Sequence, residues 1–306
     1  MGTLALTGRS AIQRPYEPYL SPHLHIPPTT DRFDPTGEAA LEALDRALDE
    51  AGPETVAAFV CEPIGAAALP AHVPPDRFWE GLAERRQRHG FLICFDEVVT
   101  GVGRVGTWLA AHQLPIEPDI VAVGKGLGAG YAPLGAVLCR DEIYDAIDRG
   151  SREFDLGHTW DGAPLSCAVG LAVLDRLERD DLVGRVHDRG PSLRDELEAA
   201  LSGIEIVGDV RGRGYLLGIE LVDPRDGRSF LPDELHADAL VDDTAFDHGV
   251  LVTSTHSQRD GYAGDQTLLA PAFTSTDREL AEMIERFAAA LRGVERTVKR
   301  ELDQTA

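Results

Sequence analysis

Lysine is almost missing from this 306-residue chain: Lys125 and Lys299 are the only two, and arginine carries the rest of the basic charge. Basic charge as a whole is scarce, with 29 Lys and Arg against 52 Asp and Glu, a formal net charge of −23. Phosphate would repel such a surface, so nucleic acid and anionic membrane are excluded as main partners. No apolar stretch is long enough to span a bilayer. The opening "MGTLALTGRSAIQRPYEP" lacks a charged region before an apolar core, and Leu6 stands where a myristoylation signal needs Ser or Thr. A cytoplasmic location is therefore expected. Cysteine is sparse too: Cys61, Cys94, Cys139 and Cys167, with no C-x-x-C. That spacing favours buried free thiols over disulfides, and no metal-ligating set is expected.

What is present is an alternation of patterns. Residues 37–51 carry leucines at 41, 44 and 48, one helical face, closed by Gly52-Pro53. A second helix is predicted over 75–89, with Phe78 and Leu82 on one side and Gly90 behind. Between and after them come short runs apolar on both faces: "TVAAFVCEP" (55–63), "FLICFDEVV" (91–99), "DIVAVG" (119–124) and "LGAVLC" (134–139). Such runs separated by helices predict a mostly parallel sheet covered on both sides. After residue 150 the pattern changes. "GAPLSCAVGLAVLDRLERDD" predicts a long, largely buried helix, and helical pattern continues to about 201. Residues 204–222 read as strand, Gly-rich turn, strand. Residues 277–302 form an amphipathic helix with Leu280, Met283, Ile284, Phe287 and Leu291 on one face. The expected boundary lies near 185, dividing the chain into 1–185 and 186–306.

In an open α/β sheet, ligands sit beyond the carboxyl ends of the strands. The polar residues there are Glu62, Asp96, Glu97 and Lys125. A lysine at a strand end is often only a surface side chain reaching water. Here, glycines at 124, 126, 128 and 130 let backbone approach a ligand. A crowded apolar site would also lower the lysine pKa and make its amine a usable nucleophile for a Schiff base. Asp96 needs a cation or a cap to offset its burial, with Arg104 as the alternative partner. A lysine amine together with an aspartate facing a protonated heterocycle nitrogen is the arrangement that holds pyridoxal 5'-phosphate.

At this point the chain resembles the class III, or omega, aminotransferases among the fold-type I pyridoxal-phosphate enzymes. The resemblance rests on "CEPIG" (61–65), "FDEVVTGVGRVG" (95–106), "VGKGLGAGYAPLGA" (123–136), "GHTWDGAPLSCAVGLAVLD" (157–175), "VRGRGYLLGIEL" (210–221) and "GDQTLLAPAFTST" (264–276). It implies an α/β large domain with a partial cofactor-binding sheet over 1–185, and an α+β small domain over 186–306. It implies roles as well. Lys125 would carry the cofactor and shuttle a proton, and Asp96 would bind the ring nitrogen. Val98 would pack on the ring face. Thr159 would bind the phosphate of a neighbouring subunit's cofactor, and Glu62 would line the substrate side. Gly101 and Arg104 are expected to shape the turn, and His158 to be structural. The implied reaction moves an amino group from an amine or omega-amino acid to a 2-oxo acid.

Two departures matter. Val99 stands where many members have Gln to hydrogen-bond the ring hydroxyl. The segment 251–266 replaces a commoner glycine-rich stretch near the substrate entrance, so no particular substrate follows. The family's segment before the Tyr-His-Gly motif has no counterpart here. By analogy it supplies a phosphate cradle and two sheet strands, one beside 134–139 and one between 23–27 and 56–61. Open edges of that kind seek another chain. The expectation is therefore a split enzyme: a second polypeptide supplies the N-terminal segment, in a homo- or hetero-oligomer with the active site at an interface. A non-catalytic scaffold, a shortened reading of a longer gene, and a pyridoxal-phosphate decarboxylase, aminomutase or epimerase are the alternatives.

Overall fold

Three of the four apolar runs become strands that pack against helices, while the fourth, at 136–139, is exposed along its length. In a computed structural model, described over residues 1–256 and 263–305, the chain opens with two short turns of helix, α1 (Gly2–Leu6) and α2 (Ser10–Gln13). Helix α3 (Glu38–Ala51) follows the predicted periodicity and buries Ala40, Leu41, Leu44 and Leu48. Its first turn is capped from outside, since both oxygens of the Asp34 carboxylate accept N–H groups, those of Ala39 (3.2 Å) and Ala40 (2.9 Å). Strand β1 (Ala58–Cys61) leads to helix α4 (Asp76–His89), which buries Phe78, Trp79 and Leu82 and ends at Gly90 in the left-handed region. Trp79 sits edge-on between Phe78 (5.1 Å) and Phe95 (5.5 Å), pinning α4 to the sheet.

Strands β2 (Leu92–Asp96), β3 (Ile120–Val123) and β4 (Ala136–Cys139) complete a four-stranded sheet of order β1-β2-β3-β4. The first three are parallel, as the continuous apolar runs predict. Strand β4 is antiparallel to β3, because only a glycine-rich turn joins them and a parallel return would need a crossover. Residues 23–27 form no strand. Among the described residues, β1 therefore pairs only with β2 and β4 only with β3. Val137 and Leu138 on β4 are 72% and 50% exposed.

Helix α5 (Asp141–Arg149) and helix α6 (Pro164–Arg179) come next. The expected burial of α6 does not hold: only Gly170 and Leu177 are buried along it, while Leu165 and Leu171 face outward. One side, with Val173, Leu174 and Leu177, packs on the first core; among the described residues the outward side, with Leu165 and Leu171, stays exposed. The cysteines also differ from expectation, since Cys139 is exposed and Cys61, Cys94 and Cys167 are half-buried, all four as free thiols.

Helix α7 (Leu182–Leu201) starts the second half. Strands β5 (Val207–Arg213) and β6 (Leu216–Leu221) form the expected hairpin. Helix α8 (Ala237–Asp247), β7 (Thr253–Thr255), β8 (Gln266–Leu269) and helix α9 (Asp277–Thr305) complete an antiparallel sheet of order β5-β6-β8-β7 with helical cover. Leu193, Leu197, Ile219, Phe287 and Leu291 lie in its core with no exposed surface. Each such side chain contributes about 1.5–3 kcal/mol. The first sheet has a separate core of α3, α4 and strand residues. The expected boundary at 185 falls inside α7, whose Leu182 packs in the first core and Val186 onward in the second. Among the described residues, no helix is long and apolar enough to cross a membrane.

Candidate active site

Parallel strands all end on one side, so β1, β2 and β3 deliver Glu62, Asp96 and Lys125 to one edge of the sheet. Cys61 pairs with Phe95, which puts Glu62 and Asp96 at the next rung. Asp96 is the last residue of β2; its Oδ1 accepts the Val98 N–H at 3.0 Å, which fixes the carboxylate at the start of a turn. Val98 folds back over the neighbouring strand end: its Cγ1 lies 3.4 Å from where a Cβ on Gly124 would stand. The turn after β2 and the turn after β3 therefore touch beside Lys125.

Lys125 opens a tight turn, Lys125–Leu127, with a φ of +33°. Val102 (+59°) and Ala129 (+46°) also have φ in the left-handed region. Such conformations cost about 1–3 kcal/mol each and gather where function holds the chain. Leu127 packs against the first core while Lys125 is exposed, so the turn is anchored on one side and presents its amine on the other.

Electrostatics ties the three groups together. Burial and the Asp96 charge push Glu62 up to about 7, opposed by the Ala66 N–H and by the charges of Lys125 and Arg9. Burial also drives the Cys61 thiol far upward, with Cys94, Glu62 and Asp96 adding to it, so this sulfur is not a nucleophile. Arg9, which nothing in "LTGRS" marks, is near enough for its charge to lower Glu62 slightly.

The second acid of the pair, Glu97, has a different task. It is fully buried. Its Oε2 accepts the Thr100 hydroxyl (2.9 Å) and the Ala110 N–H (2.7 Å), and its Oε1 accepts the Ala111 N–H (2.9 Å). It caps the short helix Ala110–Gln113 and sets the path of the turn after Asp96. Arg104 pairs with neither acid. Its guanidinium donates to the Tyr215 (3.2 Å) and Pro271 (2.6 Å) carbonyls and stacks on Phe273, and burial lowers it to about 10. Gly101 packs against the Glu97 carbonyl, where a Cβ would come within 2.8 Å.

Thr159 is not at the strand ends. It lies exposed on the loop between α5 and α6, beside His158, whose N–H donates to Asp161 Oδ2 at 2.9 Å. Val99 packs beside Ile64, Ala71 and Val105. Residues 257–262 of the expected entrance segment lie outside the described residues. The turn that carries Asp96 and Val98 thus meets the turn that carries Gly124 and Lys125 at the strand ends. Thr159, the expected phosphate contact, is exposed on its loop.

Comparison with known proteins identifies the family. The family profile for aminotransferase class III matches residues 1–291. An uncharacterized aminotransferase, YodT, from Bacillus subtilis is 36% identical over 264 residues, 86% of this chain and 60% of its own length. Gamma aminobutyrate transaminase 2 from Solanum lycopersicum is 32% identical over 280 residues, 90% of this chain and 58% of its own. Among solved structures, an (S)-enantioselective omega-transaminase from Thermomicrobium roseum superposes with a TM-score of 0.86 at 33% identity, covering 96% of this chain and 65% of that one. The chain thus spans about 60% of the length of the curated relatives it matches.

Proposed function

The chain belongs to the class III aminotransferases, a family dependent on pyridoxal 5'-phosphate, and from that premise we propose that it carries the ring-binding part of a transaminase site. The observation that carries this is the meeting of the Asp96–Val98 turn with the Gly124–Lys125 turn. When bound, the cofactor supplies an electron-withdrawing ring that lets an amine carbon give up its proton. Lys125 is the amine that anchors it and moves that proton at Nζ. Asp96 directs its carboxylate at the ring nitrogen, held in place by the Val98 N–H. Val98 supplies an apolar surface beside the ring. Glu62, with a pKa of about 7, faces the substrate and can hold or release a proton near neutrality. Thr159, out on its loop, serves the phosphate of a neighbouring subunit. The reaction is transfer of an amino group from an amine or omega-amino acid to a 2-oxo acid.

In this reading the site is completed by chain that is not among these 306 residues, contributed by a second polypeptide in an oligomer. The exposed edge of β4, with Val137 and Leu138 open to solvent, supports such a partner. The test is borohydride reduction of the cofactor-loaded assembly followed by peptide mapping. The modified peptide contains Lys125, and Lys125→Ala removes both it and the visible absorbance band while the assembly persists. A band that survives in the variant overturns the lysine assignment. A scaffold role is the second reading, favoured by Val99, which packs inward and offers the ring hydroxyl no hydrogen bond. An intact assembly that labels only on another chain establishes it.

A further inference from the structure

The loop that follows Glu62 is fastened to parts of the chain far from it in sequence. Residues 63–72 form no helix or strand, yet 63–66 and 70–72 are buried. A buried loop must find partners for its backbone. Two bonds close it on itself: the Gly65 N–H donates to the His72 carbonyl at 2.8 Å, and the His72 N–H to the Leu69 carbonyl at 3.1 Å. Others come from outside. Arg211 on β5 donates through Nε to the Pro70 carbonyl at 3.0 Å. His72 Nε2 lies 3.1 Å from the Thr29 hydroxyl, and both residues are buried. Ile64 packs with Ala71, Val105 and Leu216, so the loop shares a small apolar core with β6. Gly218 on β6 allows this seating, since a Cβ there would stand 2.1 Å from the Pro70 carbonyl oxygen. Ala71 takes a φ of +53° to reach it, a conformation that persists only where the surroundings enforce it.

We propose that Thr29, His72 and Arg211 are positioning residues for Glu62: they clamp the 62–72 loop and so hold the Glu62 carboxylate at the strand ends. The part Glu62 plays in the reaction rests on the function proposed above; the clamp rests on the contacts just described. The link runs along the backbone. The Ala66 N–H lies near enough to the Glu62 carboxylate to favour its charged form. Ala66 follows Gly65, the residue that the His72 carbonyl holds. Asp96, Lys125, Arg9 and the Cys61 thiol are the other groups that act on Glu62. A loop free to lift would admit water and let Glu62 ionise as an ordinary surface acid.

The clamp does not change charge where Glu62 does. Burial and the Arg211 charge lower His72 to about 4, with Asp31, Thr29 and Asp209 acting the other way. Its imidazole is therefore neutral across the range in which Glu62 titrates. Arg211 is fixed in turn by Asp209 (2.9 Å), Glu220 (3.2 Å) and Gln266. Glu220 also accepts from Arg32 at 3.1 Å, three residues after Thr29. The N-terminal segment and the second sheet thus grip the loop together.

The test uses the full chain without cofactor, so its outcome is separate from labelling at Lys125. Infrared difference spectra follow the carboxylic-acid C=O band as pH rises through neutrality, and Glu62→Gln identifies the Glu62 contribution. The wild-type midpoint is about 7. In Thr29→Val and in Arg211→Met it falls by about one unit or more, a tenfold rise in the acid constant. Thr29→Ser keeps a hydroxyl and Arg211→Lys keeps a donor, and both restore the wild-type midpoint. A residue that served stability alone would lower the melting temperature and leave this midpoint in place. Hydrogen exchange of the unaltered chain needs no variant: the Gly65 amide exchanges as slowly as those of β2. Folded Thr29→Val and Arg211→Met variants with an unshifted midpoint overturn the proposal, and so does fast exchange at Gly65.

Discussion

Replacing Glu97 tests whether the strand-end turn is held by a buried cap. Its carboxylate accepts the Ala110 and Ala111 N–H groups and the Thr100 hydroxyl, all in buried surroundings. In Glu97→Ala the hydroxyl can rotate to another acceptor, but the two backbone donors cannot move. Each buried donor left without an acceptor costs about 1–3 kcal/mol, so the variant loses about 2–6 kcal/mol. Glu97→Gln keeps one acceptor oxygen but turns an NH2 toward the other donor, and loses about 1–3 kcal/mol. The expected stability order is Glu, Gln, Ala. Urea unfolding followed by tryptophan fluorescence reads it, with Trp79 buried in the adjoining core. With a urea dependence of about 3 kcal/mol per molar, the alanine midpoint falls by about 1–2 M. An alanine variant within about 0.5 kcal/mol of wild type refutes the cap, and so does a glutamine variant more stable than the parent.

Other outcomes follow from the same geometry. Glu62 has a folded pKa of about 7 against an ordinary 4.5. Because that value is raised, Glu62 costs nothing below pH 4.5 and destabilises the fold as pH rises through 7. Glu62→Gln is therefore level with wild type at pH 4 and about 3 kcal/mol more stable at pH 8, measured by urea midpoints across pH; a pH-independent difference contradicts the assignment. At Gly106, φ is +87° and a Cβ would stand 2.7 Å from the His187 Cα. Gly106→Ala costs about 2–4 kcal/mol from backbone strain and overpacking together. Gly90→Ala, with φ of +78° and nothing within 4 Å, costs about 1 kcal/mol. Equal thermal shifts for the two variants would show that the contact with α7 is unimportant.

Much of the fold was readable because local pattern and tertiary role agree. Leu41, Leu44 and Leu48 give a helical face, and that face is buried. The runs at 58–61, 92–96 and 120–123 are apolar on both sides, and they lie in a parallel sheet covered by helices. Reading fails where the answer depends on a distant partner. The apolar sequence of α6 is the same whether or not a neighbour covers it, and most of the helix is exposed. Residues 23–27 have the composition of a strand but no adjacent strand to pair with. Within the site, Asp96 and Lys125 stand out by residue type and placement. Glu97 looks equivalent to Asp96 in sequence; only three-dimensional contacts separate the cap from the exposed acid. The charge of Arg9 acts on Glu62 across 53 residues of sequence, which no spacing rule encodes.

Helix α7 begins in one core and finishes in the other, Phe273 touches both, and Gly106 lies against the helix near its start. Neither half can melt without stripping the other of a wall. Heat therefore dismantles the pair cooperatively, and a hinge between them has no slack segment in which to bend. The two halves therefore travel as one block.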